Sequence, residues 1–171
     1  MATITLKGNP INTSGELPAA GSQAPNFKLV TEDLQDVTLA AFGGKKKILN
    51  IVPSLDTSVC ATSARKFNER AKEIPNCAVL MVSADLPFAS ERFRSNEGLK
   101  DIITLSTMRS QAFARDYGVL VTSGPLAGLC ARAVLVLDEN DKVVHSQLVP
   151  EITREPDYEK VLAAVKGEGR G

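Results

Sequence analysis

Two near-continuous apolar runs limit most sharply what this chain folds into. Ile48-Leu49-Asn50-Ile51-Val52 and Ala78-Val79-Leu80-Met81-Val82-Ser83-Ala84 read as strands buried on both faces. That pattern belongs to a parallel or mixed sheet covered by helices. Ala61 to Ala71, between them, reads as a helix, so the middle of the chain is strand, helix, strand. Pro87 to Arg94 suits a helix with proline in its first turn, ending before Gly98. Ile102-Ile103-Thr104-Leu105 is a short strand, and Arg109 to Tyr117 a short helix stopped by Gly118. Ala131 to Asp138 is a strong strand, and Glu139-Asn140-Asp141 turns it into an antiparallel return over Lys142 to Leu148. Pro156 to Val165 is a final amphipathic helix, followed by a frayed Gly-rich tail from Lys166 to Gly171.

At the other end, Thr3 to Lys7 and Ile11 to Thr13 flank Gly8-Asn9-Pro10 and predict an N-terminal hairpin. Phe27 to Thr31 and Asp36 to Leu39 are two further strand-like pieces. The order is α/β: a β-α-β half joined to a β-β-α half. No repeat or linker divides it, so 1–171 reads as one domain.

Lys plus Arg equals Asp plus Glu at 20 each, which gives no reason to expect nucleic acid or an anionic membrane as partner. There is no membrane-length apolar run and no evident export signal, and the three cysteines are too few and odd for a disulfide scaffold. A reducing compartment, the cytoplasm, is the expectation. Lys45-Lys46-Lys47 reads as a solvated face, and His145, the only histidine, as a hairpin surface residue. No Cys/His cluster suits a metal and no cofactor motif appears, so the reading includes no cofactor.

The chemistry is expected at Pro53-Ser54-Leu55-Asp56-Thr57-Ser58-Val59-Cys60. This stretch puts Cys60 in the first turn of a helix, just past the end of a buried strand. A helix N-terminus offers unpaired N–H groups and the positive end of the macrodipole, both of which favour the nucleophilic thiolate. Thr57, three residues earlier, is within reach of the sulfur or of a substrate oxygen. Pro53 fixes the backbone where the chain leaves the strand and supplies no N–H. Arg132 interrupts an apolar strand, where an unpaired charge is expensive. It is either a structural arginine or the cation an anionic sulfur wants.

The whole string Pro-x-x-x-Thr-x-x-Cys resembles the peroxidatic motif of the peroxiredoxin family, most closely its bacterial thiol peroxidase branch. Gly8-Asn9-Pro10, Ser83-Ala84-Asp85-Leu86-Pro87-Phe88-Ala89, Gly128-Leu129-Cys130-Ala131-Arg132 and Glu155-Pro156-Asp157-Tyr158 look like the same branch. The resemblance implies a thioredoxin-like fold and a thioredoxin-dependent peroxidase with Cys60, Thr57, Arg132 and Pro53 as its site. It also implies a homodimer and a preference for alkyl or lipid hydroperoxides. Antioxidant defence would follow. One departure stands out: Arg94 occupies the position where the branch usually carries a resolving cysteine. That leaves three ways to recycle an oxidised Cys60: an external thiol, Cys130 or Cys77. Cys130 lies two residues before Arg132, so in a regular strand both share a face. Cys77 is better explained by packing. A non-turnover redox sensor and a thiol–disulfide oxidoreductase remain as alternatives, the latter disfavoured because Ser63 stands where a Cys-x-x-Cys pair needs its second thiol. Asp85 is expected to cap the helix that follows. Phe42, Phe88, Phe93, Leu120 and Leu126 read as core or dimer contacts or as an apolar entrance.

Overall fold

Side chains along the central strands alternate between two apolar layers, and that alternation builds the molecule. A computed structural model of the chain describes residues 1–167. Its strands are β1 (Thr3–Leu6), β2 (Asn9–Asn12), β3 (Leu29–Val30), β4 (Asp36–Val37), β5 (Lys46–Ile51), β6 (Cys77–Ser83), β7 (Ile103–Ser106), β8 (Ala133–Leu137) and β9 (Val143–Leu148). Its helices are α1 (Ser58–Ala71), α2 (Pro87–Glu97), α3 (Ala112–Asp116) and α4 (Tyr158–Val165). Strands β3 to β9 form one sheet in the order β4-β3-β7-β6-β5-β8-β9, and β1 and β2 pair separately. β5, β6 and β7 are parallel, joined through α1 and α2, whereas β8 and β9 run antiparallel. The expected β-α-β and β-β-α halves are both present.

On one face Leu49, Ile51, Leu80, Val82, Ala133 and Leu135 pack with Phe27, Phe113 and the hairpin's Ile4 and Ile11. On the other Ile48, Val79, Met81, Val134 and Val136 meet Ala64 and Phe67 of α1 and Val161, Leu162 and Val165 of α4. Cys60 belongs to this second layer. Burying a Leu, Val or Phe side chain contributes about 1.5–3 kcal/mol, so the two layers dominate the stability.

Several boundaries move for local reasons. α1 starts at Ser58, three residues before the expected helix, because Thr57 caps it. α2 ends as expected before Gly98, whose φ of 67° is the left-handed C-terminal stop. The N-terminal hairpin turns on Lys7 and Gly8, both with positive φ, as a two-residue turn demands. α3 is shorter than Arg109 to Tyr117. At Gly118 a Cβ would fall 2.2 Å from the Glu16 carbonyl oxygen, so glycine is required there. The strand expected from Ala131 begins only at Ala133. Lys166 and Gly167 form a turn, and the rest of the expected frayed tail lies outside the described residues.

The lysine triplet is a correction. Lys47 is fully buried and ion-paired to Asp141, and Lys46 donates to the Val165 carbonyl at 2.7 Å. Only Lys45 is solvated. His145 is likewise no surface residue. It is half-buried, its Nε2 has no partner, and burial, with Lys160 nearby, lowers its basicity despite Asp157.

Candidate active site

β5 delivers the chain to Pro53, which is buried, and the next residues turn over the end of the sheet into α1. Thr57 is the N-cap, so Cys60 is the third residue of the helix and is 0 % exposed. The Thr57 hydroxyl accepts from the Cys60 N–H and donates to the Ser54 carbonyl, each at 3.3 Å. It therefore closes the turn that leads into Cys60. From below, Asn50 of β5 donates to Ser63 Oγ at 3.1 Å, and Ser63 donates to the Cys60 carbonyl at 2.9 Å. A polar relay thus ties the first turn of α1 to the central strand.

Asp85 holds the other side of the turn, and this corrects the capping role. The N-cap of α2 is Leu86, with no side-chain cap bond. Asp85 instead accepts from Ser54 Oγ, the Leu55 N–H and Ser83 Oγ, each at 2.7 Å. Hydrogen bonds to a carboxylate are the strong ones, so Asp85 clamps the segment between Pro53 and Cys60 onto the end of β6.

Arg132 sits just before β8 and is 2 % exposed. Its Nε donates to the Ile152 carbonyl at 2.8 Å, while its Nη1 is buried without a partner. Tyr158, in the first turn of α4, links it to the cysteine: the phenol lies within Coulomb reach of both Arg132 and Cys60. Burial first, then a 2.9 Å hydrogen bond donated to Glu155, raises the Tyr158 phenol above its ordinary range. That bond, with the Lys66 and Arg132 charges, holds Glu155 below the usual carboxylate range against partial burial. Lys66 pairs with Glu155 at 3.1 Å and sits 4.8 Å from the centre of the Tyr158 ring.

Residues 19–162 match the Redoxin family. A thiol peroxidase of Leptospira interrogans is 48 % identical over 166 residues, 96 % of this chain and 97 % of that one. The chain belongs to the thiol peroxidase branch of the peroxiredoxin family. A peroxiredoxin-like protein from Aquifex aeolicus superposes with a TM-score of 0.91 at 40 % identity, over 98 % of this chain and 97 % of that one. A thiol peroxidase from Chromobacterium violaceum shares the fold with a TM-score of 0.90 at 24 % identity, covering 96 % and 95 %. The thioredoxin-like fold and the peroxidase class expected from the sequence are therefore those of the family.

In this member of the branch the other two cysteines do not join the site. Cys130 packs in the layer on the opposite face of the sheet from Cys60. Burial pushes its thiol up to about 12. The shared face with Arg132 fails because residues 130–132 precede β8. There the chain bridges Cys130 to Leu120, and the Ala131 N–H donates to Val119. Cys77 opens β6, where burial, partly offset by Lys46 and a backbone bond, raises it to about 11. Arg94 turns to Glu32, donating to it twice at 2.7 and 2.9 Å, and Thr104 donates to the same carboxylate. Burial of Glu32 works against that charge, but the Arg94 and Thr104 bonds outweigh it and lower its carboxyl.

Glu155, Tyr158 and Lys66 had no site role in the sequence reading. The string Glu155-Pro156-Asp157-Tyr158 carried the family likeness, but nothing in it pointed to a cysteine so far upstream.

Proposed function

We propose that the chain reduces hydrogen peroxide and organic hydroperoxides with Cys60 as the attacking sulfur, in a reducing, cytoplasmic setting. The thiolate displaces at the terminal peroxide oxygen. The O–O bond breaks, an S–O bond forms, and the alkoxide or hydroxide leaves as alcohol or water on taking a proton. Cys60 is left as the sulfenic acid. Arg132 polarises the breaking bond through the Nη1 that no protein atom occupies, and its Nε stays anchored on Ile152. Thr57 keeps the first turn of α1 closed over the sulfur, and Pro53 excludes water. An external thiol returns the sulfenic acid to the thiol, thioredoxin or a smaller one, since Cys77 and Cys130 are packed away.

The observation that carries this reading is a buried guanidinium whose Nη1 is unsatisfied, a costly state for a buried polar group, in a molecule whose fully buried first-turn cysteine acts electrostatically on the same Tyr158 phenol. Rapid-mixing assays of peroxide consumption test it. Cys60→Ser is expected to abolish consumption and Cys77→Ser to retain most of it, and full turnover in Cys60→Ser would sink the proposal. Consumption of one equivalent, with no recycling by any thiol, would favour the redox sensor instead. The reading includes a homodimer. Leu86 and Phe88, 56 % and 66 % exposed at the start of α2, are the apolar surface it would cover, and sedimentation equilibrium reads the assembly state.

A further inference from the structure

Ile48, Asn50 and Val52 alternate onto the face of β5 that meets Cys60, and Asn50 is fully buried there among apolar side chains. Its Nδ2 donates to Ser63 Oγ and to Met81 Sδ, each at 3.1 Å. Its Oδ1 is buried and has no hydrogen-bond partner among the described residues. An apolar residue would fill the place without stranding an acceptor, and a stranded acceptor is expensive. Packing therefore does not account for asparagine here. Ser63 is equally buried and donates to the Cys60 carbonyl at 2.9 Å. Within a helix such a back-bond adds no stability and tends to bend the axis. The direction of the chain is fixed: an amide nitrogen only donates, so Ser63 accepts from Asn50 and sends its own proton to Cys60. Both backbone polar groups of Cys60 are thus held by side chains, the N–H by Thr57 and the carbonyl by Ser63. The sheet register supplies the other end. Asn50 pairs with Val134 of β8, two residues past Arg132. The relay therefore runs from the cysteine to the strand position beside the arginine's own segment.

We propose that Asn50 and Ser63 are positioning residues for peroxide reduction: they fix the peptide plane that follows Cys60 and so keep its sulfur aligned with the Arg132 guanidinium, at a cost in stability. This rests on the peroxidase reading above. Neither side chain touches the peroxide, and both act through Cys60. Their effect falls on the step in which the S–O bond forms and the O–O bond breaks, because in-line attack with a polarising group in place tolerates little displacement. Attack of the same sulfur on an electrophile that needs no guanidinium is not aligned by the relay.

The test compares wild type with Ser63→Ala, and with Asn50→Leu combined with Ser63→Ala, in two reactions: stopped-flow oxidation of Cys60 by hydrogen peroxide and its alkylation by iodoacetamide. Ser63→Ala is expected to slow oxidation about tenfold and to change alkylation by less than about twofold. The double variant replaces donor and acceptor together by apolar groups. It is expected to melt no lower than wild type and still to oxidise about tenfold more slowly. A merely structural role predicts otherwise, with oxidation slowing only as the melting temperature falls. In an Arg132→Lys background the further loss from Ser63→Ala is expected to shrink below about twofold, since the two changes then remove the same alignment. Oxidation at the wild-type rate in both variants, equal slowing of oxidation and alkylation, or full additivity with Arg132→Lys overturns the proposal while the peroxidase reading stands. A wild type with no Cys60-dependent peroxide consumption overturns the peroxidase reading and this inference with it.

Discussion

Arg132 meets two demands with one guanidinium, and that fixes its identity. Nε is tied to the Ile152 carbonyl, while Nη1 is buried without a partner and, on the function proposed above, meets the reacting oxygen. Lysine carries the charge but only one nitrogen, so it cannot hold Ile152 and reach into the site together. Arg132→Lys is therefore expected to lower the second-order rate constant for peroxide by about 100-fold, the order lost when one transition-state donor goes. Stopped-flow measurement of Cys60 oxidation checks this, and a loss of less than about threefold would remove Arg132 from the reaction. How far the site could be read in advance follows from the range of its contacts. The placement of Cys60, Thr57 and Pro53 on a strand-to-helix turn was legible because strand, turn and helix follow one another locally. Asp85 was not, since a carboxylate before a helix looks like a cap, and its donors at Ser54 and Leu55 lie about thirty residues upstream. Tyr158 was hidden for the same reason.

Elements far from the cysteine set where these residues stand. The loop that holds Arg132 is shaped by Glu151, whose carboxylate accepts from the Thr153 N–H and hydroxyl, the Gly8 N–H and the Thr5 hydroxyl. One side chain thus pins the N-terminal hairpin to the segment whose Ile152 carbonyl positions the guanidinium. The Thr153 backbone and hydroxyl bonds, then that from Gly8, hold its carboxyl down at about 2 from an ordinary 4.5. A carboxyl lowered on folding stabilises the fold fully above its unfolded value, and that contribution is lost as pH falls through the folded one. Wild type is therefore expected to be more stable than Glu151→Gln from neutral pH down to about 4.5, with the gap closing between there and about 2. Denaturant titrations across that range measure it, and a gap that stays constant would refute the assignment. The element order was readable from apolar runs, but not the start of β8. That boundary depends on Ala131 pairing with Val119, a partner outside any strand pattern.

At the scale of the whole molecule the sheet separates two layers, and one buried lysine, paired to a partly exposed carboxylate at the rim, sits inside the layer opposite Cys60. Lys47 lies on the same face of β5 as Leu49 and Ile51, so its side chain enters that layer, where it is fully buried against Asp141 in the turn between β8 and β9. Three consecutive lysines look like a wet surface because sequence displays the charge and not a partner 94 positions away. Strand alternation inside a two-layer sheet is what forces one of the three inward. Breaking a buried pair from one side leaves an uncompensated charge, at a cost of about 3–5 kcal/mol. Asp141 has a φ of 65°, a left-handed conformation that asparagine adopts as readily as aspartate. Asp141→Asn therefore removes the charge with little added backbone strain. It is expected to lower the melting temperature by on the order of 10 °C. Lys47→Met combined with Asp141→Asn is expected to recover most of that loss, since replacing a buried pair by apolar volume is often neutral. Calorimetry on the two variants decides the matter. A double variant no more stable than Asp141→Asn alone would mean that the turn needs the pair itself, not merely freedom from a stranded lysine.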